Sequence, residues 1–306
     1  MKSEIKNLPF VFNSISELHR AMGLPKPMHP LVSLVDNSEI KATSDELLNP
    51  FILNFYKISY KKNLQGKIKY GQNYYDFDEG GLMFISPNQV LATAENNNDY
   101  SGYSLLIHPD FIRNYPLEKN IKKFGFFSYS ANEALYLSDK EKQIIISIFE
   151  NIEQELTTMI DDFSQDVMIS HIEVLLNYSN RFYKRQFITR KAISNDFLER
   201  LETLLNDYFN NETALMKGLP TVQYLSEELN VSPGYLSDML RSLTGQNAQQ
   251  HIHNKMIEKA KEILSTSNLS VAEVSYQLGF EHPQSFNKIF KRKTNLTPIE
   301  FKQSFN

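Results

Sequence analysis

The sequence predicts an α+β protein of two domains. The first, residues 1–190, is β-rich and ends in a helical hairpin; the second, residues 195–306, is all helix and holds two helix-turn-helix units. Three observations predict this: short β-type runs punctuated by turn residues up to about residue 108, a switch to helical periodicity from Ser138, and an internal repeat in the last third.

The bulk numbers agree with a folded, water-exposed chain. It has 306 residues, 41% hydrophobic, with 32 Lys+Arg against 36 Asp+Glu, the size of about two domains. This composition excludes disorder, and 11 Gly with 12 Pro exclude collagen-like and low-complexity classes. With Cys 0, disulfide frameworks, thiolate zinc sites, iron–sulfur clusters and cysteine nucleophiles are all excluded, which suits a reducing compartment. The opening MKSEIKNLPFVFNSI lacks the apolar core and cleavage site of a signal peptide. The densest apolar run, Ile144 to Phe149, is far shorter than the roughly 20 residues of a membrane span. A cytoplasmic protein with no membrane partner is expected.

The strands come first. FILNFYKISY (51–60), KIKYG (67–71), GLMFIS (81–86), QVLATA (89–94) and GYSLLIH (102–108) read as strands of a sandwich or barrel, separated by Gly66, Gly71, Gly80-Gly81, Pro87-Asn88 and Gly102. Ser138-Asp139-Lys140-Glu141 has the form of a capping box, and Ile145, Phe149, Ile152, Leu156 and Met159 follow at helical spacing. A second helix is expected from Ser164 to Tyr183. Its stripe Met168, Ile172, Leu175 and Phe182 suits burial either in its own domain or against a second copy, so a homodimer is one expected partner. Arg181, Lys184, Arg185, Arg190 and Lys191 then form an acid-free basic stretch that reads as a solvated hinge or a phosphate contact.

From Asp196 every periodic segment is helical: 197–209, 221–230, 233–244, 248–266, 271–279, 283–294 and 298–304. Thr221, Val222, Leu225 and Leu229 match Ser270, Val271, Val274 and Leu278 at an offset of 49, while Leu236, Met239 and Leu240 match Phe286, Ile289 and Phe290 at an offset of 50. The second copy therefore has one more residue in its turn. Each copy (221–244 and 270–294) reads as a short capped helix, a turn, and a second helix with an apolar inner and a polar outer face. Ser232 and Ser270 are expected to cap, Pro233 to sit where a missing N–H costs nothing, and Gly279, Gly245 and Asn295 to end helices in the left-handed conformation.

An α-helix fits the major groove of duplex DNA, where base edges need donors and acceptors. The outward set of the second copy is Pro283, Gln284, Asn287, Lys288 and Lys291, with Arg292 and Lys293 beyond; Gln and Asn suit adenine edges, and Lys suits guanine or phosphate. That of the first copy is Gly234, Tyr235, Ser237, Asp238 and Arg241, a weaker reader whose acid is able to accept from cytosine or to repel phosphate. From Asn195 to Asn306 there are 11 basic and 13 acidic residues, so contact is expected to be local; His282 to Ile299 contains no acid.

These residues carry a resemblance. LSEELNVSPGYLSDMLRSLTG, the following long helix, and VAEVSYQLGFEHPQSFNKIFKRKTNLTP resemble the DNA-binding domain of the arabinose-regulator (AraC/XylS) family of bacterial transcription factors, over about residues 220–304. Residues 1–190, including 102–110 and 181–187, look like the cupin-like β-barrel sensory half of some members. The resemblance implies two units joined by a rigid helix (Gln249 to Ser265), roughly one duplex turn apart, with base readers at Gly234, Ser237, Asp238, Pro283, Gln284, Asn287 and Lys288. It implies double-stranded DNA and RNA polymerase as partners and a small organic effector for the N-terminal half. Gly234 offers no side chain, and Asp238 stands where members often have a basic residue.

A cupin-like domain can also be an enzyme. The metal-dependent version needs a close set of His and carboxylate ligands, and the barrel region has no His-x-His, with His108 alone before Pro109-Asp110. No metal, no cofactor and no catalysis are therefore expected; a metal-dependent enzyme with an accessory helical domain is the alternative. Phe51, Phe55, Tyr56, Tyr60, Tyr70, Tyr74, Tyr75 and Phe77 line an effector cavity or are ordinary core.

Overall fold

The computed structural model describes residues 9–41, 47, 50–62, 68–70, 73–75, 80–91, 101–130, 133–159, 161–189, 191–211 and 213–305. The chain divides into two compact units, Met1–Gln186 and Phe187–Asn306.

In the first unit the strands are β1 (Phe10–Phe12), β2 (Val32–Asp36), β3 (Phe51–Leu53), β4 (Tyr56–Lys61), β5 (Ile68–Tyr70), β6 (Asn73–Tyr75), β7 (Gly81–Ile85), β8 (Val90–Leu91), β9 (Gly102–Ile107) and β10 (Leu135–Tyr136). They form an antiparallel five-stranded sheet β10-β7-β4-β9-β2, a three-stranded sheet β1-β3-β8, and the hairpin β5-β6. Among the described residues these sheets do not join into a closed barrel. The run 51–60, read as one strand, is two strands in different sheets. The chain changes sheet at Asn54, whose backbone N–H donates to Phe12 C=O at 3.0 Å and whose side chain donates to Asn13 at 2.7 Å, while the next ring, Phe55, is fully buried. Of the expected strand 89–94 only Val90–Leu91 is seen; 92–94 lie outside the described residues.

Phe51, Phe55, Tyr56 and Tyr60 are all core. Tyr56 packs edge-on against Phe127, and Tyr60 lies 6.4 Å from Phe149. Tyr70, Tyr74 and Tyr75 lie on the β5-β6 hairpin, and Phe77 is outside the described residues.

Helix α1 (Ile15–Ala21) was not anticipated, though its capping box is plain: Ser14 accepts from the Glu17 amide and the Glu17 carboxylate accepts from Asn13 and Ser14. It carries His19, whose Nδ1 donates to Pro25 C=O at 2.7 Å and whose Nε2 accepts from Ser33 Oγ at 3.0 Å. Burial holds the His19 pKa below its usual value, so protons bind the unfolded chain more readily. Its stabilising share is complete above about pH 6.5, the ordinary value, and is lost as pH falls below it. His19→Gln should flatten the pH dependence of stability of this unit between pH 7 and 5, measured by urea unfolding; an unchanged slope would remove His19 from the acid response.

Helix α2 (Pro116–Asn120) precedes the helical pair α3 (Asp139–Thr157) and α4 (Ser164–Thr189). The Glu141 carboxylate accepts from the Ser138 amide at 2.8 Å, as the capping box predicts. Met168, Ile172, Leu175 and Phe182 are all buried within the chain, at 0–5% exposure, so this stripe is spent on intrachain packing and is not open to a second copy. Within the basic stretch α4 continues to Thr189 and α5 starts at Lys191, and the boundary between the two compact units falls at Gln186 and Phe187. Arg185 belongs to the core edge: its guanidinium donates to Glu141 at 2.7 and 3.0 Å and to Tyr136 C=O at 2.8 Å. Arg190 lies outside the described residues.

The second unit is helical: α5 (Lys191–Asn210), α6 (Thr213–Lys217), α7 (Val222–Leu229), α8 (Pro233–Thr244), α9 (Ala248–Thr266), α10 (Val271–Gln277), α11 (Pro283–Thr294) and α12 (Pro298–Gln303). No helix among the described residues is long and apolar enough to cross a membrane.

Candidate nucleic-acid interface

The two paired-helix units are α7–α8 and α10–α11, and their backbones repeat bond for bond. Thr221 and Ser270 cap the first helices by accepting from the amides of Tyr224 and Glu273. Each first helix ends in a left-handed residue, Asn230 at φ 57° and Gly279 at φ 87°. One residue later the amides of Val231 and Phe280 return to the carbonyls of buried Ser226 and Ser275, at 2.9 and 3.1 Å. All of these pairs keep the offset of 49, whereas the second helices start at Pro233 and Pro283, offset 50. The extra residue is therefore Glu281, between Phe280 and His282. Ser232 caps α8 through the Tyr235 amide at 3.3 Å; the equivalent His282 gives α11 no side-chain cap.

Leu236, Met239 and Leu240 on α8, and Phe286 and Phe290 on α11, are buried. The opposite face of α11 shows Gln284, Asn287, Lys288, Lys291 and Arg292, all exposed and with no side-chain hydrogen bond or ion pair among the described residues. Pro283 is half-buried at the first turn, where its missing N–H costs nothing.

The first unit differs. Tyr235 is not on the outer face: it is 5% exposed and meets Phe187 edge-on, ring centroids 5.1 Å apart. The reason is helical geometry, since Tyr235 precedes Met239 by four residues and shares its inner face. Gly234, Ser237 and Asp238 are half-exposed, and Arg241 is exposed but donates to Asp238 at 2.9 Å. Charge on this face is thus internally balanced, in contrast to α11.

Helix α9 connects the units. Asn247 caps it, and Ile252, Met256, Ile257, Ala260 and Leu264 are buried along it. Most of them join one core with Tyr208, Phe209, Val274, Leu278, Phe280, Phe286 and Phe290. Polar side chains also meet across it: Asn254 donates to Gln246 and accepts from Lys293. Sequence reasoning passed over Asn254; a polar residue between the apolar positions Ile252 and Met256 was the available signal.

In the N-terminal unit, a hollow of about 270 Å³ is lined by His19, Leu24, Pro25, Met28, Val32 and Leu156, among others. It adjoins one of about 310 Å³ that shares Met28, Val32 and Leu156 and adds Phe111, Met168 and the acids Glu155, Asp161 and Asp162. Among the described residues no three His, Cys, Asp or Glu side chains gather as metal ligands would. His108 is occupied locally, its Nδ1 accepting from the Asp110 amide at 3.2 Å.

A family profile described as a helix-turn-helix domain matches residues 225–304. The chain is 27% identical over 119 residues to "Histidine kinase P4" of Formosa agariphila, a match that covers 39% of this chain and 8% of that protein. It is 26% identical over 136 residues to the "HTH-type transcriptional activator RhaS" of Salmonella paratyphi B, covering 44% and 46%. Among solved structures, the C-terminal domain of the two-component response regulator yesN from Fusobacterium nucleatum is 32% identical over 33% of this chain and 96% of that one, with a TM-score of 0.29. The chain thus spans less than half the length of these two curated relatives.

Proposed function

We propose, from the premise that residues 225–304 are a helix-turn-helix domain of the AraC type, that this chain is a sequence-specific DNA-binding transcription regulator. Its two second helices enter successive major grooves on one face of the duplex and thereby recruit or block RNA polymerase. The observation that carries this reading is the outer face of α11, where two amides and three cations project together over a core of two buried phenylalanines. Amides and cations at one groove-facing surface supply base-edge readout and phosphate contact respectively.

Gln284 and Asn287 are assigned to base edges, and Lys288, which suits guanine or phosphate, joins Lys291 and Arg292 on the backbone. In the first unit Ser237, Asp238 and Arg241 face the groove with Gly234 allowing close approach, and it reads fewer bases because Asp238 and Arg241 already satisfy one another. Tyr235 is assigned to the core.

The N-terminal unit takes the cupin-like sensory role, acting by dimerisation or by a small organic effector. The paired hollows around Met28 and Leu156 support the effector route by offering apolar walls with a few polar groups. A metal-dependent enzyme is the competing reading, and elemental analysis of purified protein separates the two, since stoichiometric iron, zinc or manganese would favour it.

Genome-wide footprinting with purified protein tests the main reading; protection indistinguishable from background would overturn it. Asn287→Ala should relax base preference at one position of the recovered motif by about 1–3 kcal/mol. A randomised-site selection yielding the parental motif would remove Asn287 from the readers.

A further inference from the structure

The side chain of Asn254, in the middle of α9, is half-buried, and its two ends go to the loop that leads out of the first helix-turn-helix unit and to the second helix of the other unit. Its Nδ2 donates to Gln246 Oε1 at 2.7 Å, in the turn after α8. Its Oδ1 accepts from Lys293 Nζ at 2.9 Å, in the last turn of α11. The orientation of the amide follows from chemistry: an ammonium only donates, so the oxygen must face Lys293 and the NH2 must face Gln246. We propose that Asn254 is a positioning residue that sets the separation and relative rotation of the two outer faces, and hence the spacing of half-sites that the protein accepts. This rests on the reading of those faces as DNA contacts.

The apolar contacts of α9 hold the units together but are non-directional, so they tolerate small slides and rotations of one helix against another. Hydrogen bonds weaken steeply with angle and distance and therefore select one arrangement. Lys293 stands seven residues after Phe286 and three after Phe290, exposed at the edge of the inner face of α11, so its ammonium reaches α9 while Lys288 and Lys291 turn away. The neighbouring His253 does not oppose it: burial, then the charges of Arg292 and Lys293, hold the imidazole pKa below its usual value, so the ring is neutral near pH 7.

Because the chain has no cysteine, paired nitroxides can be placed in the full-length protein at Gln223→Cys on α7 and Gln277→Cys on α10, both exposed. Double electron–electron resonance should give a narrow distance distribution in the parent, a broad one in Asn254→Leu, and an intermediate one in Asn254→Asp, which keeps the acceptor and loses the donor. Where Asn254→Leu fails to fold, Lys293→Met removes the same bond from an exposed position. On duplexes whose half-site spacing is changed by one base pair, the parent should lose about tenfold or more in affinity and the variant less than about threefold, a flattening that general destabilisation would not produce. Equal widths, or equal spacing penalties in parent and variant, would overturn the proposal. A parent that binds no duplex while its distances still broaden on substitution would instead overturn the DNA reading and leave the positioning role standing.

Discussion

Lys288→Ala combined with Lys291→Ala is expected to weaken duplex binding and to flatten its dependence on salt. Each phosphate neutralised by a lysine releases condensed counterions, so log K falls against log salt with a slope near −0.9 per contact. Losing two contacts should shift the slope by about 1.8, which from 50 to 200 mM salt is roughly a 12-fold smaller loss of affinity than the parent shows. Folding should not change, because neither side chain makes a bond within the protein and both are exposed. Lys259→Ala is the matched control: that ammonium is tied to Glu262 at 3.0 Å, and its removal should leave the slope as it was. A double variant with the parental slope would take both lysines out of the interface.

The asymmetry between the units gives the same experiment a second use. The paired Asp238 and Arg241 balance one another on the outer face of α8, whereas α11 carries three cations and no acid there. Most of the salt slope should therefore disappear with α11 variants, and Arg241→Ala should change it little.

What was legible beforehand followed from local chemistry. The repeat stood out because a cap and an apolar pattern recur at offsets of 49 and 50, and both are written in residues a few positions apart. Glu281 as the inserted residue needed the structure, since only the amide returns of Val231 and Phe280 show where the two turns diverge. Tyr235 was misplaced although its spacing of four from Met239 puts it on the inner face; its ring partner, Phe187, lies outside the repeat altogether. Asn254 went unseen for a similar reason: its partners are 8 and 39 residues away, and no periodicity connects them. The sheets were only half legible. A run such as 51–60 keeps its strand character while crossing from one sheet to another, and a switch of partner leaves no mark on β propensity. The stripe on α4 was ambiguous in sequence because intrachain and interchain burial ask for the same residues, and the burial of all four settles it for the chain itself.

Gly279→Ala should be the most damaging single substitution in the helical unit. Gly279 has φ 87°, a region that costs an L-residue about 1–2 kcal/mol. Space is the greater obstacle: a Cβ there would lie 2.5 Å from Gly218 C, 2.7 Å from Ala214 O and 2.8 Å from Leu219 N, all main-chain atoms that cannot swing aside. The turn between α6 and α7 thus packs directly on the turn between α10 and α11, and glycine is required on steric grounds. Gly245, at φ 75°, has nothing within 4 Å of its Cβ position, so Gly245→Ala isolates the backbone term at about 1 kcal/mol. Gly279→Asn separates the two effects from the other side. Asn230 holds the equivalent place in the first unit at φ 57°, so asparagine accepts the conformation, yet at 279 it should still collide. The expected order of loss in denaturant unfolding is Gly279→Ala, close to Gly279→Asn, well above Gly245→Ala, with the 279 variants losing about 3 kcal/mol or more. Were Gly279→Asn to unfold no more easily than Gly245→Ala, the close approach of the two turns would not be what holds this domain in register.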